Sequence, residues 1–208
     1  MAEPYELAMF PLEYPVLPGA VIPLHLFEPR YQALAKDLQA QPEPEFGIVG
    51  ITRGREVGGD DARASLGVVA RVLELDALDD GRWSLVAGAT RRIRIDEWRQ
   101  PAPYPKATVT DWPDEFEPDL ADSVPPLRDA VATLLEVARR RRPELDVHMP
   151  DLEGTEPDRA IWHLIDFAGL GPLDRLDLLA HGAASQRAAA ATAPIIEQAA
   201  MLDALDDT

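Results

Sequence analysis

VLPGAVIPLHLFEPRYQALAKDL, residues 16–38, decides the architecture of the first half of this chain. Pro18-Gly19 fits the two central positions of a type II turn, where glycine accepts the positive φ that the second position requires. The run VIPLHLF follows as a strand, and Pro23 places it at a sheet edge because proline has no N–H to donate. Pro29 suits the first turn of a helix, where an N–H would lack an intrahelical partner. The stretch is therefore predicted to form a turn, an edge strand and a helix.

Alternation divides the side chains of this strand between two faces. One face takes every second residue from Val21 to Phe27, including Pro23 and His25, and the other takes Ile22, Leu24 and Leu26. The helix is predicted to bury one stripe that consists of Phe27, Tyr31, Leu34 and Leu38. Since folding accounts for the whole stretch, we expect no catalytic role for His25.

The rest of residues 1–112 is also predicted to be mainly strand, because β-branched residues recur there with a period near two. The further strands are Leu7–Leu12, Phe46–Thr52, Leu66–Leu78, Trp83–Glu97 and Ala107–Trp112. Asp80-Gly81 is predicted to close a hairpin. Gly88 interrupts a long strand and predicts a bulge or corner, and the charged, glycine-rich residues 53–64 predict an exposed loop.

The chain changes character at DWPDEFEPDLADSVPP, residues 111–126, which is predicted to link two lobes. Four helices are expected beyond it: one capped by Ser123, one opened by Thr155, one in PLDRLDLLAHG, and an alanine-rich one capped by Ser185. Pro194 is expected to kink or divide the last helix. The sequence therefore predicts an α+β chain with a β-rich domain over 1–116 and a helical domain over 117–208.

The charge balance restricts the partners of this protein. The chain has 20 basic and 37 acidic side chains, which give a formal charge of −17. Such a surface repels phosphate backbones and anionic lipids, so we expect neither nucleic acid nor a membrane as partner. Cysteine is absent, and the N-terminus lacks the features of a secretory signal, both of which favour the cytoplasm.

Motifs that would indicate an enzyme are missing from the sequence. The phosphate-binding patterns G-x-x-x-x-G-K-[ST] and G-x-G-x-x-G do not occur, and no serine lies in G-x-S-x-G. The only lysines are Lys36 and Lys106, and neither neighbours a serine in the sequence. No two histidines have the H-x-x-x-H spacing of a metal site. We therefore predict no catalytic, cofactor-binding or metal-binding residues.

MFPLEYPVLPGAVIPLHLFEPRYQAL, residues 9–34, resembles the start of the N-terminal substrate-binding domain of Lon proteases, and more closely the stand-alone bacterial proteins that consist of that domain. The likeness continues through LGVVARVLEL, DDGRWSLVAGATRRIRI and PYPKATV, and through AIWHLIDFAGLGPLDRLDLLAHGAASQR, which ends at Arg187. The resemblance implies a PUA-like pseudo-barrel followed by a helical lobe. It also implies binding of unfolded or tagged protein segments, without the ATPase and protease parts of Lon.

The leading hypothesis is a non-catalytic, cytoplasmic protein-binding module that serves as an adaptor, with a protease or chaperone as its associate. The sequence also allows two alternatives: an enzyme with a scattered active site, and a PUA-like module for RNA or a small ligand that would use a basic patch at Arg91, Arg92 and Arg94. The candidate peptide-binding residues lie beside the edge strand, where an extended peptide would add. They are Pro23, Phe27, Glu28, Arg30 and Tyr31.

Overall fold

The computed structural model describes residues 2–53, 62–144 and 146–204. The chain divides into two compact units, Met1–Pro113 and Asp114–Thr208. The division falls three residues before the boundary at 116 that composition indicated. Most of the predicted loop at 53–64 lies outside the described residues, and its last residues, from Ala62, belong to a strand.

The first unit contains all six predicted strands and the predicted helix between the second and third strands. The elements are β1 (Tyr5–Leu12), β2 (Val21–Leu26), α1 (Pro29–Gln39), β3 (Glu45–Arg53), β4 (Ala62–Ala77), β5 (Trp83–Trp98) and β6 (Lys106–Asp111). Gly19, in the turn before β2, has a φ of 89° and so takes the conformation predicted for it. The expected α+β class, with its β-rich first part, is confirmed.

Five of these strands close into a barrel. The sheet order is β2-β5-β4-β3-β1-β6, and β6 pairs again with β5. The first half of β5 pairs with β2, from Trp83 to Gly88, whereas its second half pairs with β6 from Ile93 onward. β2 is therefore an appended edge strand outside the closed ring, as Pro23 predicted.

Alternation along the strands fills the barrel interior with apolar side chains. The buried cluster consists of Leu7, Met9, Val49, Val69, Ile93, Ala107 and Val109. The ring of Tyr31 on α1 lies 4.2 Å from that of Phe10 on β1, which in turn contacts Phe46 of β3 edge-on. Helix α1 therefore covers the outside of β1 and β3.

The prediction that Phe27 belongs to the buried stripe of α1 is wrong. The helix begins at Pro29, so Phe27 still follows the alternation of β2, and its side chain is 54% exposed. Tyr31, Leu34 and Leu38 form the buried stripe as expected.

The second unit is helical. It contains a 3₁₀ turn at Leu120–Ser123 and the helices α2 (Val124–Arg141), α3 (Pro157–Ala168), α4 (Pro172–Ala180) and α5 (Ala184–Ala204). Two expectations are wrong here. α3 is preceded by Glu156 rather than opened by Thr155, and α5 begins at Ala184, so Ser185 lies inside that helix rather than capping it. Pro194 lies inside α5 and does not divide it. No helix among the described residues is long and apolar enough to cross a membrane.

A buried ion pair fixes the start of this unit. Arg187 of α5 is fully buried, and its guanidinium donates two hydrogen bonds to Asp114, of 2.6 and 2.9 Å. The same guanidinium lies 3.7 Å from the centre of the Trp162 ring. The acidic segment after Pro113 is therefore bonded into the helical unit, and the division between the two units falls inside the predicted linking segment, at Pro113.

Neighbouring residues of the acidic segment also bond to the helical unit. The N–H of Glu115 donates to the carbonyl of Gly182 at 3.1 Å. The Glu117 carboxylate accepts hydrogen bonds from the backbone N–H and the hydroxyl of Ser185, which lower its pKa. Ser185 thus bonds to this carboxylate at the start of α5.

Two glycines of the barrel strands provide a matched pair for a test of packing. A Cβ at Gly67 would lie 2.3 Å from the carbonyl oxygen of Ile48, whereas a Cβ at Gly88 would first meet Leu73 at 3.5 Å. We expect Gly67→Ala to lower the free energy of unfolding by about 1 to 3 kcal/mol, because overpacking forces the backbone to shift. Gly88→Ala should change it by under about 0.5 kcal/mol. Urea denaturation followed by tryptophan fluorescence measures both; equal midpoints for the two variants would contradict the close approach of β3 and β4.

The ion pair of the helical unit gives a second expected outcome. Asp114→Ala would leave the buried guanidinium of Arg187 without its carboxylate, which costs about 3 to 5 kcal/mol in comparable cases. Glu115→Ala, one residue away and exposed, should cost under about 0.5 kcal/mol. Far-UV circular dichroism during urea denaturation reports mainly the helices. The same midpoint for both variants would show that the pair does not hold this unit together.

Candidate peptide-binding surface

The structure places four of the five predicted site residues at the surface around β2. Pro23 is exposed on the strand, Phe27 is exposed just after it, and Glu28 and Arg30 are partly buried at the start of α1. Tyr31 is only 2% exposed because its ring packs against Phe10. Its ring is therefore not accessible to a peptide.

The open edge of β2 is interrupted at Pro23. The N–H of Ala89 on β5 donates to the carbonyl of Ala20 at 2.8 Å, just before β2 begins. In an antiparallel pair the bonded positions alternate, so Val21, Pro23 and His25 direct their backbone groups away from β5. Within the described residues β2 pairs only with β5, and the missing N–H of Pro23 lies on the unpaired side. An added strand could not form a continuous ladder there.

The exposed side chains of β2 continue onto β5 and β4 as one face. Pro23 lies opposite Val86, which lies opposite Glu74, and His25 lies opposite Ser84, which lies opposite Asp76. Residues that are directly opposite point to the same side of a sheet. We call this the outer face and define it by the residues Val21, Pro23, His25, Arg71, Leu73, Glu74, Asp76, Ser84, Val86 and Gly88.

The centre of the outer face is apolar and exposed. Val21 is 63% exposed and Leu73 is 56% exposed, while Val86 is half-buried between them. A β-bulge between Val72 and Glu74 turns both Leu73 and Glu74 outward. Because Gly88 has no side chain, Leu73 extends over that position of β5.

Sequence reasoning missed the residues that β4 and β5 contribute to the outer face. Alternation alone assigns Leu73 to the side opposite Glu74, and no local signal in LGVVARVLEL locates the bulge. Val21 shares the face of Pro23 and His25, as alternation predicts, and belongs to the exposed surface although it is not one of the five predicted site residues. The alternation of β2 could have identified it.

Glu28 and Arg30 bond to each other instead of presenting two separate charges. Arg30 Nε lies 3.0 Å from a Glu28 carboxylate oxygen, and the Arg30 guanidinium stacks 4.6 Å from the centre of the Tyr31 ring. The pair thus forms a nearly neutral polar rim beside Phe27.

The three arginines of the expected basic patch are engaged within the barrel unit. Arg91 donates to Glu45 and Asp111 at 3.0 Å, and Arg92 and Arg94 lie over the Trp112 ring at 4.5 and 4.9 Å. Burial and a hydrogen bond to Asp111 raise the pKa of the nearby Tyr5 to about 12, so Tyr5 is a neutral donor in this network. The geometry therefore offers little free cationic surface to a phosphate backbone.

The arginines at the end of α2 also bond to groups of their own unit. Arg139 donates to the carbonyl of Val147, while Arg140 and Arg141 bond to Asp203. These contacts fit a helix end that complements its dipole.

The described residues give little support for catalysis or metal binding at the histidines. No group of three His, Cys, Asp or Glu side chains there could hold a metal ion. The carboxylate of Asp166, three residues after His163 on α3, accepts a 2.6 Å hydrogen bond from the buried Arg175. His25 is exposed on the outer face.

A closed five-strand barrel with an appended edge strand, followed by a helical unit, defines the class of this protein. Residues 6–193 match the family model described as the ATP-dependent protease La (LON) substrate-binding domain. The match covers most of the chain, so this chain belongs to that family. The resemblance seen in the motifs is confirmed.

Solved structures agree with this assignment. The Lon N-terminal domain protein from Xanthomonas campestris has a TM-score of 0.61 and 29% identity, and the match covers 88% of this chain and 94% of that one. The N-terminal domain of the Mycobacterium avium complex Lon protease has a TM-score of 0.65, with 92% and 98% coverage. At 20% identity, the second likeness concerns the fold alone.

Curated relatives are much longer than the region they share with this chain. Lon protease 2 of Myxococcus xanthus is 32% identical over 111 residues, which are 51% of this chain and 13% of that protein. The Lon protease of Methylocella silvestris is 29% identical over 136 residues, which are 62% of this chain and 16% of that protein. The family match identifies this region as the substrate-binding domain.

The Glu28–Arg30 pair leads to a prediction about stability. Arg30→Ala removes both the ion pair and the stacking on Tyr31, whereas Glu28→Ala removes the ion pair alone. We expect a loss of about 1 to 2 kcal/mol in the free energy of unfolding for Arg30→Ala and under about 1 kcal/mol for Glu28→Ala. Lys36→Ala, an exposed change on the same helix, is the control. Equal losses for Arg30→Ala and Lys36→Ala would contradict this geometry.

Proposed function

We propose that this protein binds extended apolar segments of unfolded or tagged proteins on the outer face of β2, β5 and β4. The observation that carries the proposal is the continuous exposure of Val21, Pro23 and Leu73 in a chain of the Lon substrate-binding family. Contiguous apolar surface on a folded protein is typical of an interaction site.

The bound segment lies across the outer face, with Phe27 and the Glu28–Arg30 pair at one end of the surface. A peptide strand added at the open edge would lack one ladder hydrogen bond, because the nitrogen of Pro23 faces that edge and carries no hydrogen. Side-chain contacts on the face need no such ladder. They also suit clients of many sequences, because apolar contact is non-directional.

The wider role we propose is that of a non-catalytic adaptor in the cytoplasm. It would hold a client and present it to a protease or a chaperone. The absence of phosphate-loop and nucleophile motifs from the sequence supports binding without catalysis, and the engaged arginines of β5 favour a protein client over RNA.

The proposal predicts a loss of client capture from changes on the outer face and at Phe27, which lies at its end. Val21→Glu and Phe27→Ala are expected to weaken binding of casein, an unfolded protein, at least about fivefold, because each removes exposed apolar contact area. Both side chains are more than half exposed, so the melting temperature should stay nearly unchanged. Fluorescence anisotropy with labelled casein measures the affinity.

Phe116→Ala is the matched control, since Phe116 is 91% exposed and lies in the helical unit. It should leave casein binding as in the wild type. If all three variants bind equally well, or if Phe116→Ala alone loses binding, the outer face is not the client site.

A further inference from the structure

Building on the proposed function, we infer that the outer face selects apolar segments that are flanked by lysine or arginine over those flanked by acidic residues. The selective groups are the carboxylates of Glu74 and Asp76, which border the apolar centre on the β4 side. The partner chemistry is therefore an extended, cationic-flanked apolar segment.

The register of the sheet brings these carboxylates next to the apolar centre. Glu74 and Pro23 lie on opposite sides of Val86, and Asp76 and His25 lie on opposite sides of Ser84. Adjacent strands are about 4.8 Å apart, so each carboxylate lies about 10 Å across the face from β2. A lysine or arginine beside an apolar residue of the bound segment spans such a distance with its long stem on the apolar surface.

The described residues supply no cation to Glu74 or Asp76. Arg71 of β4 lies opposite Gly88 and so on the same face, where it pairs with Glu45 at 3.4 Å, and Arg82 in the turn before β5 pairs with Asp80 at 2.6 Å. His25 lies at the other side of the face, opposite Ser84. Glu74 and Asp76 therefore form a negative border next to the Arg71–Glu45 pair.

The size of the preference follows from the exposure of the carboxylates. Both residues are exposed, so each new ion pair strengthens binding by up to about fivefold. Two such pairs, together with the repulsion of acidic flanks, give an expected preference of about tenfold at low ionic strength. At 1 M salt the Debye length is about 3 Å, so screening of the ion pairs should reduce this preference to under about threefold.

The test uses two labelled peptides with the same apolar centre, one flanked by lysines and the other by glutamates. Fluorescence anisotropy with the full chain should show about tenfold tighter binding of the lysine peptide at low salt. The double variant Glu74→Gln/Asp76→Asn should reduce that ratio to under about twofold. Asp119→Asn/Glu136→Gln changes the net charge equally on exposed residues of the helical unit, and it should keep the ratio.

The outcomes separate this inference from the proposed function. If the two peptides bind equally and Val21→Glu abolishes both interactions, the outer face is the client site but the charge selection is wrong. If the two double variants lower the ratio equally, the overall charge explains the preference and the role of Glu74 and Asp76 is overturned. If neither peptide binds, or Val21→Glu affects neither, both proposals fail.

Discussion

Strand β5 is the element on which the barrel unit depends. It has 16 residues and pairs with β4 along most of its length, with β2 over its first half and with β6 over its second half. The same strand thus closes the barrel at one end and extends beyond it at the other. The outer face exists because the first half of β5 leaves the ring and takes β2 as its second neighbour.

The arginines of β5 hold the closed part of the barrel. Arg91 connects β5 to Glu45 of β3 and Asp111 of β6, and it also donates to the Tyr5 hydroxyl of β1 at 3.2 Å. Partly buried charges are costly unless they are paired, and this network pairs them across four strands. The basic run that could indicate nucleic-acid binding in the sequence is thus part of the architecture.

Local patterns in the sequence were sufficient to predict the strands, the turn at Gly19 and the edge position of β2. They failed where a residue depends on a distant partner or on an irregular backbone. The ion pair of Asp114 was not predicted because its partner, Arg187, lies 73 positions away. Leu73 was missed because a bulge changes its side of the strand. Part of the candidate site was accessible from β2 alone, but its β4 border required the register of the whole sheet.

An exposed apolar face is also a risk, because a second copy of the chain could cover it. Two features of the outer face oppose this pairing. The edge of β2 cannot form a continuous ladder through Pro23, and a symmetric contact whose two-fold axis passes near Glu74 and Asp76 would bring each toward its own equivalent. Like charges disfavour that contact, whereas a cationic client gains from the same carboxylates. The carboxylates that would oppose such a contact are therefore the groups that would select the partner of this face.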